Sequence, residues 1–255
     1  MRTHAVIPDC QVKPGVPLDY LERIGMYLAE KKPDVIVQIG DFADMPSLSS
    51  YDVGKKSFEG RRYCEDVEAS HLGMDRLTKP IIREQARLRR NKKTVWTPEL
   101  YLTLGNHENR IERAVNNDPK LDGTMSVDDL GYAGYGWSVS EFLRPIFVDG
   151  ISYCHYFTGG VLGRPVASAR LLVLKKLQTC VMGHNQHWDI HRSVRADGKA
   201  VIGLFVGSCY EHDEDYLGPQ GNNYPRGFWM LHEVEDGDFH PMFVSLSYLE
   251  KRYGK

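Results

Sequence analysis

The chain has no long hydrophobic run. Its longest apolar stretches, Val35 to Ile39 and Val201 to Val206, fall far short of the roughly 20 residues that cross a bilayer. The opening Met1-Arg2-Thr3-His4 carries no signal-peptide core, so a cytoplasmic protein with no membrane partner is expected. Cysteine is scarce. Five residues, an odd number without regular spacing, argue against a disulfide framework and fit a reducing compartment. Charge of one sign is lacking too: 32 Lys and Arg stand against 34 Asp and Glu, so any pull toward nucleic acid or anionic lipid must be local. No internal repeat and no low-complexity tract interrupts the sequence.

What is there suits one sizeable core. With 255 residues and 42% apolar content, a single domain over 1–255 is expected. The first half alternates strand and helix signals: an apolar run from His4 to Pro8, helical periodicity over Leu18 to Glu30, and a buried-type strand over Asp34 to Ile39. A charged helix from about Glu65 to Lys93 follows, which Pro80 should break or kink, and then a strand over Glu99 to Leu104. The second half is richer in strands. Asp149-Gly150, Asp197-Gly198 and Asp236-Gly237 each lie between apolar alternations and read as hairpin turns, while Pro165 to Leu177 reads as a helix. Two facing mixed sheets with helices outside account for the pattern, and residues 190–255 are expected to supply hairpins of the second sheet.

Chemistry-bearing residues cluster where predicted strands end. The blocks are Asp9-Cys10-Gln11, Gly40-Asp41-Phe42-Ala43-Asp44, Gly105-Asn106-His107-Glu108, an isolated His155, and Gly183-His184-Asn185-Gln186. Taken singly, each has an ordinary explanation: Asp caps turns, and a lone His in an apolar strand is usually a satisfied core residue. Carboxyl ends of successive strands are also where an open α/β sheet builds a site, and the joint, ordered occurrence is much harder to dismiss.

In that order the blocks resemble the signature of the calcineurin-like metallophosphoesterases: Asp-x-His, Gly-Asp-x-x-Asp, Gly-Asn-His-Asp/Glu, a lone His, and Gly-His-x-His. Gln11 and Gln186 stand where the pattern has His. The resemblance covers about Ala5 to His187 and implies the family's four-layer α-β-β-α sandwich. It also implies two divalent metal ions: Asp9, Gln11, Asp41 and Gln186 at one, and Asp41, Asn106, His155 and His184 at the other, with Asp41 shared. An all-oxygen first position suits Mg²⁺, Mn²⁺ or Ca²⁺, and a second with two imidazoles suits Mn²⁺, Fe²⁺, Ni²⁺ or Zn²⁺. Mn²⁺ is therefore the expected ion, with the first position the weaker. A shift of one residue would put His187 in place of Gln186.

The activity implied is hydrolysis of a phosphate ester by a hydroxide bridging the metals. His107 matches the family's general acid and Asp44 its orienting partner, while Glu108 reads as a support behind them or as a helix start. Expected substrate contacts are Arg110, with Arg113 as a weaker candidate on the same helix, and Arg61 and Arg62 within a basic and aromatic stretch from Tyr51 to Tyr63. The segment Gly207 to Tyr216, which includes His212, is a candidate rim. Arg87 to Lys93 reads as a solvated helical face. A phosphodiesterase or nuclease acting on nucleic acid or nucleotides is the leading expectation, and the chain resembles small prokaryotic or bacteriophage members, which would place it in host cytoplasm if phage-encoded. Met45 stands where the protein-phosphatase branch commonly has Arg. A phosphomonoesterase of broad specificity and a non-catalytic scaffold with eroded ligands are the alternatives.

Overall fold

A computed structural model describes residues 1–254. The strands are β1 (Arg2–Ile7), β2 (Val35–Gln38), β3 (Glu99–Thr103), β4 (Ser138–Ser140), β5 (Ile146–Val148), β6 (Ile151–Cys154), β7 (Cys180–Met182), β8 (Trp188–Val194), β9 (Ala200–Val206), β10 (Gly227–Glu235) and β11 (Asp238–Ser245). Between them run α1 (Asp19–Lys31), α2 (Tyr63–Arg90), α3 (Arg110–Asn117), α4 (Ala169–Lys176), the single turn α5 (Gly218–Gly221) and α6 (Leu246–Tyr253). One mixed sheet has the order β11-β10-β1-β2-β3-β4 and the other β5-β6-β7-β9-β8.

Alternation along the strands decides the layering. In β1, Val6 packs with Val35, Val37, Val181 and Leu204, joining the two sheets face to face. Its neighbours Ala5 and Ile7 point the other way, into a core shared with Leu21, Ile24, Met74 and Leu77 of α1 and α2. On the far side, Ala169 and Leu172 of α4 cover Cys180, Met182 and Phe205. Two mixed sheets therefore pack against each other with helices on both outer faces, and each buried aliphatic side chain contributes about 1.5–3 kcal/mol.

Three expectations need correction. Residues 190–255 do not all serve the second sheet: β8 and β9 do, but β10 pairs antiparallel with β1, Ala5 opposite Met230 and Val6 opposite Trp229. A hairpin signal fixes local pairing only; β10 is apolar on both faces, with Trp229 between the sheets and Phe228 among the helices, and so fits beside the central β1. Of the break or kink expected at Pro80, the break does not occur, since α2 runs through it. Gly25 of α1 lies against this turn so closely that a Cβ there would sit 2.3 Å from the Leu77 carbonyl oxygen. Packing of the buried Pro80 on Gly25 of α1 works against the roughly 3 kcal/mol that proline costs within a helix. The helix expected from Pro165 begins later, at Ala169, capped by Ser168 whose Oγ accepts from Leu171 N. No helix among the described residues is long and apolar enough to cross a membrane.

Candidate metal centre

Loops after β1, β2, β3, β6 and β7 meet at one place, and backbone bonds hold them there. Cys10 N and Gln11 N donate to Asp41 O at 3.0 and 2.9 Å, and Asp44 N donates to Val12 O. Glu108 ties the next pair of loops: Oε2 accepts from Asp41 N and Gly105 N, and Oε1 from Ala43 N, all within 3.0 Å. It is a buried strut behind the site, as the sequence suggested. The glycines of the blocks are required by space. A Cβ at Gly105 would lie 2.0 Å from Asp41 Oδ1, and one at Gly183 would lie 2.5 Å from Asp9 Oδ1. Gln11, Asp41, His184 and Gln186 all adopt positive φ, between 44° and 68°, a conformation that costs non-glycine residues energy and concentrates at functional loops.

Around Asp41 the donors converge. Asn106 Oδ1 lies 2.9 Å from His155 Nε2 and 2.8 Å from His184 Nδ1, and Asp41 Oδ2 lies 3.3 Å from His155 Nε2. Donor atoms of Asp41, His155 and His184 fall within 4.8 Å of one another. His155 Nδ1 faces the Ile39 carbonyl oxygen at 3.0 Å, so Nδ1 carries a proton and Nε2 turns its lone pair toward two oxygens. Such an arrangement needs a cation or a second proton between the atoms. Two imidazole nitrogens, a carboxylate and an amide oxygen are a donor set for Mn²⁺, Fe²⁺ or Zn²⁺. Electrostatics agree: burial disfavours the imidazolium of His155, yet Asp41 and Asp9 outweigh it and raise the pKa to about 9. His184, half-buried and beside His155, is lowered to about 4.

Around Asp9 the side chains are already engaged. Asp9 Oδ1 accepts from His184 N, and Oδ2 accepts from Gln186 Nε2 at 2.6 Å. Gln186 Oε1 accepts from Tyr210 OH at 2.9 Å. Gln11 Nε2 donates to Tyr216 OH at 2.8 Å, and Gln11 Oε1 lies 3.2 Å from the same hydroxyl. Gln186 thus offers its amide nitrogen, not its oxygen, to the place expected for the first ion. Burial pushes the Asp9 carboxyl up to about 7. His187 places its ring beside Phe205 and Tyr224, with Nδ1 bonded to Asn185 O.

His107 sits at the edge of this centre, with Nδ1 2.7 Å from Asp44 Oδ1 in an approach off the axis of the ring N–H. Arg110 joins them: Nη1 donates to Asp44 O at 2.7 Å, and Nη2 donates to His107 Nε2 at 3.1 Å. Burial works against the His107 imidazolium, but Asp41 and Asp44 outweigh it and raise its pKa. Lys13, which no motif marked although it follows Gln11 by two residues, bridges Asp44 and Glu214. Tyr156, next to His155 and likewise outside every motif, has its ring 4.8 Å from that of His184.

A cavity of about 820 Å³ opens from His107, Asn106 and Arg110, walled by the 44–66 segment and by Asp213 to Tyr216. Arg61 lines it, held by Asp52 and by the Pro46 carbonyl. Other expected contacts do not reach it. Arg62 is exposed and donates to Arg61 O, because the turn into α2 points it away. His212 stacks on Tyr210 and pairs with Glu214 at 2.7 Å. Arg113 reaches Ser50 Oγ. Eight acidic side chains line the cavity against four of Lys and Arg. No family model matches the chain, and no curated protein matches it significantly.

Proposed function

We propose that the chain is a divalent-metal-dependent phosphoesterase with the calcineurin-like sandwich, acting on a phosphodiester. The observation that carries this is the convergence of Asp41, Asn106, His155 and His184 on one point beside His107. An ion held by those four would supply Lewis acidity, lowering the pKa of a bound water and offsetting charge on phosphate oxygens.

The protein's own groups do the rest. Asp41 is fixed by His107 N, which donates to Oδ1 at 2.9 Å, so its Oδ2 stays turned toward the histidines. His107 delivers a proton to the leaving oxygen from Nε2, while Asp44 holds Nδ1 and stabilises the imidazolium beforehand. Arg110 now donates to that same Nε2. A phosphate oxygen competing for the guanidinium frees Nε2 to carry the proton, which couples substrate binding to activation of the acid. Lys13 and Arg110 pair with Asp44 behind His107, so both are already held by carboxylates. Such partly neutralised cations match the single negative charge of a diester better than a monoester dianion.

Hydrolysis of bis(p-nitrophenyl) phosphate against p-nitrophenyl phosphate with added Mn²⁺ tests this. Turnover of the diester, abolished by chelator, is expected. Monoester turnover alone would make the protein a phosphatase, and turnover of neither would favour a scaffold.

A further inference from the structure

The charge of the cavity wall speaks to the substrate. Its cations are all spoken for: Lys13 by Asp44 and Glu214, Lys55 and Arg61 by Asp52, Arg110 by Asp44. Five acids of the wall, Glu59, Glu65, Asp66, Asp213 and Asp215, have no ion pair among the described residues. Asp66 is the telling one. It is 1% exposed, its Oδ2 accepts from Ser47 N, and its Oδ1 has no hydrogen-bond partner. A buried carboxylate without a counter-ion is costly, so a wall that keeps one favours a cation from outside. Tyr51 and Tyr216, both on this wall and 82% and 61% exposed, add free aromatic faces.

Carboxylates without counter-ions beside aromatic faces are the chemistry that holds an alkylammonium group. The same wall repels a polyanion, whose binding depends on unpaired Lys and Arg. A volume of about 820 Å³ is that of a small-molecule site. Resting on the phosphodiesterase reading, we infer that the substrate is a small phosphodiester whose alcohol half carries a cationic ammonium group, seated between Glu59, Glu65 and Asp66 on one side and Asp213 to Tyr216 on the other, and that polynucleotides are excluded.

The test uses a matched pair with Mn²⁺ present: p-nitrophenyl phosphorylcholine and its neutral isostere, p-nitrophenyl 3,3-dimethylbutyl phosphate, in which carbon replaces the quaternary nitrogen. The expected kcat/KM ratio is roughly tenfold or more in favour of the choline ester, carried mainly by KM. Glu59 and Glu65 are exposed, and replacing both by Gln should bring the ratio toward one; an unchanged ratio would overturn their assignment. If both esters are cleaved at equal rates, the inference fails and the phosphodiesterase reading stands. If neither is cleaved while bis(p-nitrophenyl) phosphate is, the inference fails and the phosphodiesterase reading stands; if none of the three is cleaved, the hydrolytic reading fails, and calorimetry decides the inference separately. Tighter binding of phosphocholine than of 3,3-dimethylbutyl phosphate supports it, and equal or weaker binding overturns it.

Discussion

At Asp41, Asn106, His155 and His184 the donor atoms point at one another, whereas at Asp9, Gln11 and Gln186 each side chain has a partner of its own. Both corners stand on loops of the same kind, with positive φ at Asp41 and His184 in one and at Gln11 and Gln186 in the other. The difference lies in what glutamine does. An imidazole whose distal nitrogen is anchored has one lone pair and one direction; an amide carries donor and acceptor together and satisfies itself locally. Two Gln residues therefore draw in Tyr210 and Tyr216, and the Asp9 corner closes on itself while the Asp41 corner stays open to a cation.

The strongest way to break this contrast is to remove its shared member. Asp41→Ala should abolish metal binding at both corners and reduce hydrolysis on the order of 1000-fold, read by elemental analysis beside turnover. His107→Ala should leave metal content intact and cost about 100- to 10,000-fold with poor leaving groups, and much less with p-nitrophenolate, which needs no proton. Equal loss for all leaving groups would remove His107 from the acid role. Gln186→His sharpens the comparison: an imidazole there should gain about tenfold in affinity for a second ion, with Zn²⁺ gaining more than Mg²⁺.

The smallest effect concerns pH. Metal-free His155 has its pKa raised from 6.5 to about 9, so its contribution to stability is fully present below pH 6.5 and is lost as pH rises through 9. His107, also raised, acts with the same sign. His184 does not oppose them in this window, because its lowered pKa, about 4, changes stability only below pH 6.5. Melting of chelated protein should fall by several degrees between pH 6.5 and 9.5, and Mn²⁺ should flatten the curve; parallel curves would mean the ion does not replace that proton.

Much of this was legible in the chain because strand ends and glycines are local features. Val35 to Ile39 followed by Gly40-Asp41 announces a buried strand delivering a carboxylate, and the structure has β2 and its loop there. Partners that come from far along the chain were not legible. Tyr216 meets Gln11 across 205 positions and Tyr210 meets Gln186 across 24, and no spacing rule links an amide to a distant phenol. The same limit explains β10 and β11: Asp236-Gly237 marked their turn, but only the pairing of Ala5 with Met230 settles which sheet receives them. Lys13 belongs to no motif, since a lysine gains its role from Asp44 and Glu214 arriving on either side.

The direct test is a calorimetric titration of metal-free protein with Mn²⁺, repeated on His155→Ala and Asp9→Asn. One tight equivalent lost with His155→Ala, followed by a weaker one lost with Asp9→Asn, is the predicted result. Two equivalents of equal affinity, or tight binding that survives His155→Ala, would contradict an open Asp41 corner beside a self-satisfied Asp9 corner.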